Sequence, residues 1–135
     1  MAIEDDVARI QALGEEYFNA TNLGDADRCL ATMAPDVVIM PPDRPSIVGR
    51  DALQRLSRDY HAKFEPSYRL VYDEVLVTGD LAVARASVSG TRRSRSDGRV
   101  EKLNWRNLWV LKRQPDGKWK FWRIMFNNAV PSQTE

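Results

Sequence analysis

From Ser67 to Asn128 the chain reads almost continuously as extended segments, and this limits its possible folds more than any other feature. Four strands are expected, at about 67–78, 81–94, 99–113 and 118–128. Gly79-Asp80, Asp97-Gly98 and Pro115-Asp116-Gly117 separate them, and these residues carry the chemistry of tight hairpin turns. Consecutive hairpins make an antiparallel meander. Before Pro66 the pattern is helical: Ile3, Val7, Ile10, Tyr17 and Phe18 recur near one face over residues 3 to about 22. Gly24 suits a helix end and Asp25 the next N-cap. A second short helix is expected through about Met33, broken by Pro35, followed by a short strand over Val37–Met40. A third helix spans Arg50 to Phe64, with Leu53, Leu56, Tyr60 and Phe64 on one stripe. Helices followed by a curved meander give an α+β domain in which the sheet wraps the helices.

The length of 135 residues suits one domain, residues 1–135, large enough to bury a core without metal or disulfide. A net charge of +1 offers no bulk attraction to nucleic acid or membrane. The acidic start MAIEDDVARI is unlike a signal peptide, and the single cysteine, Cys29, cannot form an internal disulfide. No apolar run approaches the roughly 20 residues that span a bilayer. These features read as a cytoplasmic protein. No His, Cys or acid cluster has metal-ligand spacing, and no cofactor is implied.

Several strings are similar to the nuclear transport factor 2-like superfamily, which includes the ketosteroid isomerases and SnoaL-like cyclases. They are EEYFNATNLGD, MAPDVVIMPPD with VGRDAL, VTGDLAVARASVSG, and LWVLKRQPDGKWKF. The resemblance covers nearly the whole chain. It implies a cone-shaped protomer with three N-terminal helices packed in the sheet, an apolar pocket between them, and a homodimer built face to face from two sheets. It does not imply a particular reaction, since one scaffold hosts many. The reactions open to such a chain are cofactor-independent isomerisation, cyclisation or hydratase-like elimination.

The resemblance also implies site residues. Tyr17 matches the tyrosine that donates into an oxyanion hole, and Asn107 falls where the second donor would stand. Isomerisation needs two donors on one oxygen and a base near the substrate carbon. The base position falls at Met40-Pro41, which carries no carboxylate, and Asp43 lies two residues beyond. Ketosteroid isomerisation is therefore not expected. Tyr17 has a second reading, as a buried tyrosine completing the apolar stripe.

Alternation along β-structure places Val83, Arg85, Ser87 and Ser89 on one face, and Ala82, Ala84, Ala86 and Val88 on the other. In the resembling isomerases the first set lines the pocket. That register makes Arg85, with Ser87, a binder of an anionic small-molecule ligand; the alternative is an ion pair with an acid such as Glu74. Trp105, Asn107, Trp109 and Leu111 share a face, as do Trp122, Ile124 and Phe126. Trp105, Trp109 and Phe126 are the expected pocket walls, with core packing as the competing reading. Trp119 and Phe121 then point toward a partner sheet, unless a bulge after Gly117 exchanges the faces. His61 reads as a surface residue on a charged helix. The basic tip Thr91–Arg99 reads as a solvated hairpin.

Overall fold

The structure, a computed structural model, describes residues 3–129. Helix α1 (Ile3–Leu23) opens with Glu4, Asp5 and Asp6, which suit the positive end of its dipole. It buries Ile10, Gly14, Ala20 and Thr21, and packs Leu13, Tyr17 and Phe18 against the core. Gly24, at φ 74°, ends it. Asp25 then caps α2 (Ala26–Ala31), accepting from the Arg28 backbone N–H at 3.1 Å.

Helix α2 stops two residues short of the expected end. Met33 and Pro35 belong instead to strand β1 (Met33–Met40). The Thr32 carbonyl accepts from the Phe121 backbone N–H at 2.9 Å, so the chain enters the sheet beside its last strand. Pro35 falls within the register shift between Met33 and Val38, where the missing N–H costs no ladder bond. A two-residue strand β2 (Ile47–Val48) pairs with β1, and Gly49 leads into α3 (Arg50–Lys63).

Phe64 begins strand β3 (Phe64–Thr78) rather than ending the helix. Pro66 does not delay the strand, because β3 is an edge strand and an edge tolerates proline. The meander continues through β4 (Leu81–Ser94), β5 (Val100–Arg113) and β6 (Trp119–Asn128). Strand order is β2-β1-β6-β5-β4-β3, with β1 parallel to β6 and the other neighbours antiparallel. The helices cover one face of this curved sheet, as the sequence pattern implies. Among the described residues no helix is long and apolar enough to cross a membrane.

Side-chain size organises the covered face. Ala82, Ala84 and Ala86 stand opposite Leu111, Trp109 and Asn107, small beside large across β4 and β5. A bulge at Trp122, between the pairs Leu111–Phe121 and Val110–Arg123, changes parity in β6. Trp119 and Phe121 are therefore buried, Ile124 and Phe126 stay on the inner face, and Trp122 turns outward to donate to Asp36 at 3.1 Å. The assignment of Trp119 and Phe121 to a partner sheet is corrected accordingly. Arg113 fastens α1 to this end of the sheet. It donates to both Asp6 carboxylate oxygens at 3.0 and 2.9 Å while stacking over Trp119 at 4.5 Å.

Gly14 sits where Tyr72 crosses α1 to donate to the Ile10 carbonyl at 2.8 Å. A Cβ there would overlap the Tyr72 hydroxyl and lie 2.9 Å from its Cζ. Replacing glycine by alanine inside a helix ordinarily stabilises by about 0.5–1 kcal/mol. Here Gly14→Ala is expected to destabilise by about 1–3 kcal/mol through overpacking. Denaturant melts would show it, and Tyr72→Phe in the same background should recover part of the loss.

Candidate functional site

Packing along the inner face of the sheet is graded. At the narrow end Trp109 is 2% exposed, with Phe121 at 5.0 Å, Tyr72 at 5.6 Å and Phe18 at 6.3 Å between ring centroids. Trp109 is thus core filling, not a pocket wall. Along β5 the inner positions pass from buried Leu111 and Trp109 to half-buried Asn107, Trp105 and Leu103. On β6 they pass from buried Ile124 to half-buried Phe126. The helices therefore seal one end of the cone and leave the other end only partly covered. Two open concavities are of about 510 and 500 Å³: one at the ends of β4, β5 and β6, lined by Gly90, Leu103 and Asn128, the other around Arg50 and Lys120.

At the partly covered end, Trp105 packs edge-on against Tyr68 (5.2 Å) and Phe126 (5.3 Å). Asn107 lies between this aromatic group and Trp109. The Trp109 indole N–H donates to the Asn107 Oδ1 at 3.2 Å. Asn107 Nδ2 is buried and has no hydrogen-bond partner among the described residues. Tyr17 packs against Phe18 at 4.9 Å and Phe121 at 5.8 Å. Its hydroxyl is near Thr21, Cys29 and Tyr60, and burial raises its pKa well above the ordinary tyrosine range. Tyr17 is accordingly a neutral donor, not a base. Asn107, Trp105 and Phe126 lie on the helix-covered face of the sheet, and Tyr17 faces it from α1.

Arg85 and Ser87 do not. The alanine set of β4 faces inward, so Arg85 lies on the outer face with its side chain 59% exposed. Its Nε donates to Glu74 at 2.8 Å, and Ser87 donates to Asp73 at 2.7 Å. The physical reason is desolvation: a guanidinium inside would have displaced the small side chains that make room for Trp109. Arg85 and Ser87 are removed from the candidate site. The acidic partner named from sequence, Glu74, is the one observed.

Sequence reasoning missed three residues at the same end. Tyr60 and Tyr68 hydrogen-bond through their hydroxyls, and Arg92 stacks over Phe64 at 4.4 Å. Arg92 shares the parity of Val88 and so the inner face. Gly90 between them adopts φ 149°, and a Cβ there would overlap the Ser67 carbonyl. Near the expected base position, Met40 pairs with Met125, and Asp43 is exposed in the following loop at φ 59°. Among the described residues no group of three or more His, Cys, Asp or Glu side chains could hold a metal ion.

His61 departs from its surface reading. Both ring nitrogens are buried without hydrogen-bond partners among the described residues, beside Tyr60 at 5.7 Å. Burial lowers its pKa from the model-peptide value of 6.5, only partly offset by the Thr21 backbone. A depressed histidine pKa means that the unfolded chain takes up protons first as pH falls. The stability that neutral His61 contributes is complete above pH 6.5 and is lost as pH falls from there toward the folded-state value. Melting temperatures between pH 7.5 and 5.5 are expected to fall less steeply in His61→Leu than in the wild type. Equal slopes would show that His61 is not desolvated.

Comparison with known proteins matches this geometry. The SnoaL-like domain family matches residues 15–122. No curated protein matches. The ketosteroid isomerase-like protein of Erwinia carotovora atroseptica SCRI1043 superposes with a TM-score of 0.84 at 28% identity, covering 92% of this chain and 96% of that one. A candidate aromatic ring hydroxylase from Novosphingobium aromaticivorans gives 0.81 at 27% identity, covering 97% and 93%. An NTF2-like protein with a cystatin-like fold from Novosphingobium aromaticivorans gives 0.78 at 23%, covering 97% and 86%. The domain match, nearly whole-chain superpositions and helix-filled curved sheet agree: the chain belongs to the SnoaL-like domain family of the nuclear transport factor 2-like superfamily.

Proposed function

We propose that the protein binds a small, mostly apolar molecule bearing an acceptor oxygen, at the partly covered end of the cone between sheet and helices. The observation that carries this reading is Asn107 Nδ2, a buried donor with no partner among the described residues. Leaving such a group unpaired costs about 1–3 kcal/mol, which a ligand oxygen recovers. Trp105 and Phe126 supply the apolar walls, and Tyr17 is the second donor of the set. Any reaction would be a cofactor-independent isomerisation, cyclisation or hydratase-like elimination. Ketosteroid isomerisation is disfavoured, because neither Met40 nor Pro41 can take a proton and Asp43 is exposed.

A matched pair of probes tests this. Tetralone, with a carbonyl, is expected to bind more tightly than tetralin in ligand-observed NMR. Asn107→Leu should weaken tetralone by roughly tenfold while leaving tetralin unchanged. Equal binding of the two probes to the wild type would refute the donor role. With an enone-forming steroid, no turnover above background is expected.

The outer sheet face favours a second reading, self-association. Leu76, Val83 and Val110 stand in register across β3, β4 and β5, with Leu108 (49% exposed) and Met125 (48%) in the adjoining row. Arg85 and Glu74 lie at the edge of this apolar group. Covering such a patch with its own copy buries apolar area on both sides. Light scattering is expected to show a dimer at micromolar concentration, converted to monomer by the double change Leu108→Glu and Met125→Glu. A wild-type monomer would exclude the sheet-to-sheet dimer.

A further inference from the structure

We propose that the cone mouth is built to hold a carboxylate: Arg92, set beside Tyr60 and Tyr68, anchors a planar, largely apolar acid whose skeleton runs inward along Trp105 and Phe126. This inference rests on the small-molecule reading above and names the ligand class.

Arg92 is an inner-face residue of β4, in cross-strand register with Glu101 and Pro66. Its side chain is 23% exposed, against 59% for Arg85 on the outer face. The guanidinium carbon stands over the Phe64 ring at 4.4 Å and over the Tyr60 ring at 5.9 Å from the centroids, so aromatic faces bound its position. Glu101 Oε1 engages the Nε edge at 2.8 Å, and Glu101 is itself 54% exposed. The guanidinium has five N–H donors, and its two Nη groups form a fork shaped for a carboxylate. Tyr60 and Tyr68 share a hydroxyl hydrogen bond beside it, and Tyr68 is 8% exposed. Tyr68 in turn packs against Trp105, and Trp105 against Phe126. The cation therefore stands at the outer end of a continuous aromatic surface, with Asn107 at its inner end. A planar acid fits that sequence of surfaces, its charge at the wet rim and its skeleton inside. Arg92 also interacts with the Tyr60 and Tyr68 hydroxyls, and a neutral ligand would leave the remaining guanidinium N–H groups to water.

Isothermal titration with naphthoate and naphthamide, which share a skeleton and differ in charge, separates the possibilities. Naphthoate should bind more tightly than naphthamide, and rising NaCl should weaken naphthoate alone. Arg92→Gln should weaken naphthoate by roughly tenfold, to the level of the amide, without changing naphthamide. Glu101→Gln leaves the arginine in place and removes a competing acid, so it should tighten naphthoate. Arg85→Gln is the outer-face control and should change neither. Equal affinities for the two probes, or naphthoate binding indifferent to both Arg92→Gln and Glu101→Gln, overturns the carboxylate anchor and leaves the small-molecule site standing. Binding of neither probe at millimolar concentration overturns both.

Discussion

The hydrogen bond from the Trp109 indole to Asn107 Oδ1 links the packing of this protein to its chemistry. An indole N–H can only donate, so Asn107 must offer it the carbonyl oxygen, and the amide orientation follows from the partner's chemistry. The Nδ2 group is then directed away from Trp109. Trp109 is itself fixed by Phe121, Tyr72 and Phe18, and by the small Ala84 across the strand pair. A rigid aromatic core thus holds a polar amide in one orientation, as a binding site needs. Loosening Trp109 would free the amide to rotate as well as weaken the core it fills.

The same residue chemistry has opposite consequences on the two faces of the sheet. Arg85–Glu74 and Arg92–Glu101 are both cross-strand pairs with an Nε–carboxylate distance of 2.8 Å. The first is exposed and largely screened by water, so it contributes little. The second has its cation partly withdrawn among aromatic rings, where water screens it less and a second anion gains more. Which face a strand position occupies therefore decides how far water screens its arginine. Register shifts modify that parity near Asp73, between Tyr72 and Glu74, at Trp122, and in β1 between Met33 and Val38.

The hairpins of the meander were legible because glycine and aspartate turn chemistry is local; Gly79 and Gly98 do adopt positive φ. The entry into β1 was not, because Pro35 reads locally as a helix breaker, whereas its strand position is settled by pairing with β6 far along the chain. Alternation divided β4 correctly into two sets, but it cannot say which set faces inward. The alanines facing Trp109 decide that. Analogy with isomerase pockets favoured the opposite register and placed Arg85 inside. Arg92 escaped notice because its parity is hidden behind Gly90 and a cluster of exposed hairpin charges. His61 escaped for a different reason: burial of a single polar side chain between α1 and α3 depends on helix packing, which sequence periodicity resolves only to a face.

The donors and the missing base together limit what chemistry the cone can support. Tyr17, Tyr68 and Tyr72 all have pKa values raised by burial, so each stays protonated and can donate but cannot accept a proton at neutral pH. Asn107 does not titrate. His61 is neutral at physiological pH because burial disfavours its cation, and that same burial penalises the proton uptake a base would need. Under the binding reading proposed above, such donors would favour negative charge on a ligand oxygen without themselves holding a proton in transit. A transformation there would need the substrate's own group, or water at the open end of the cone, to complete the transfer.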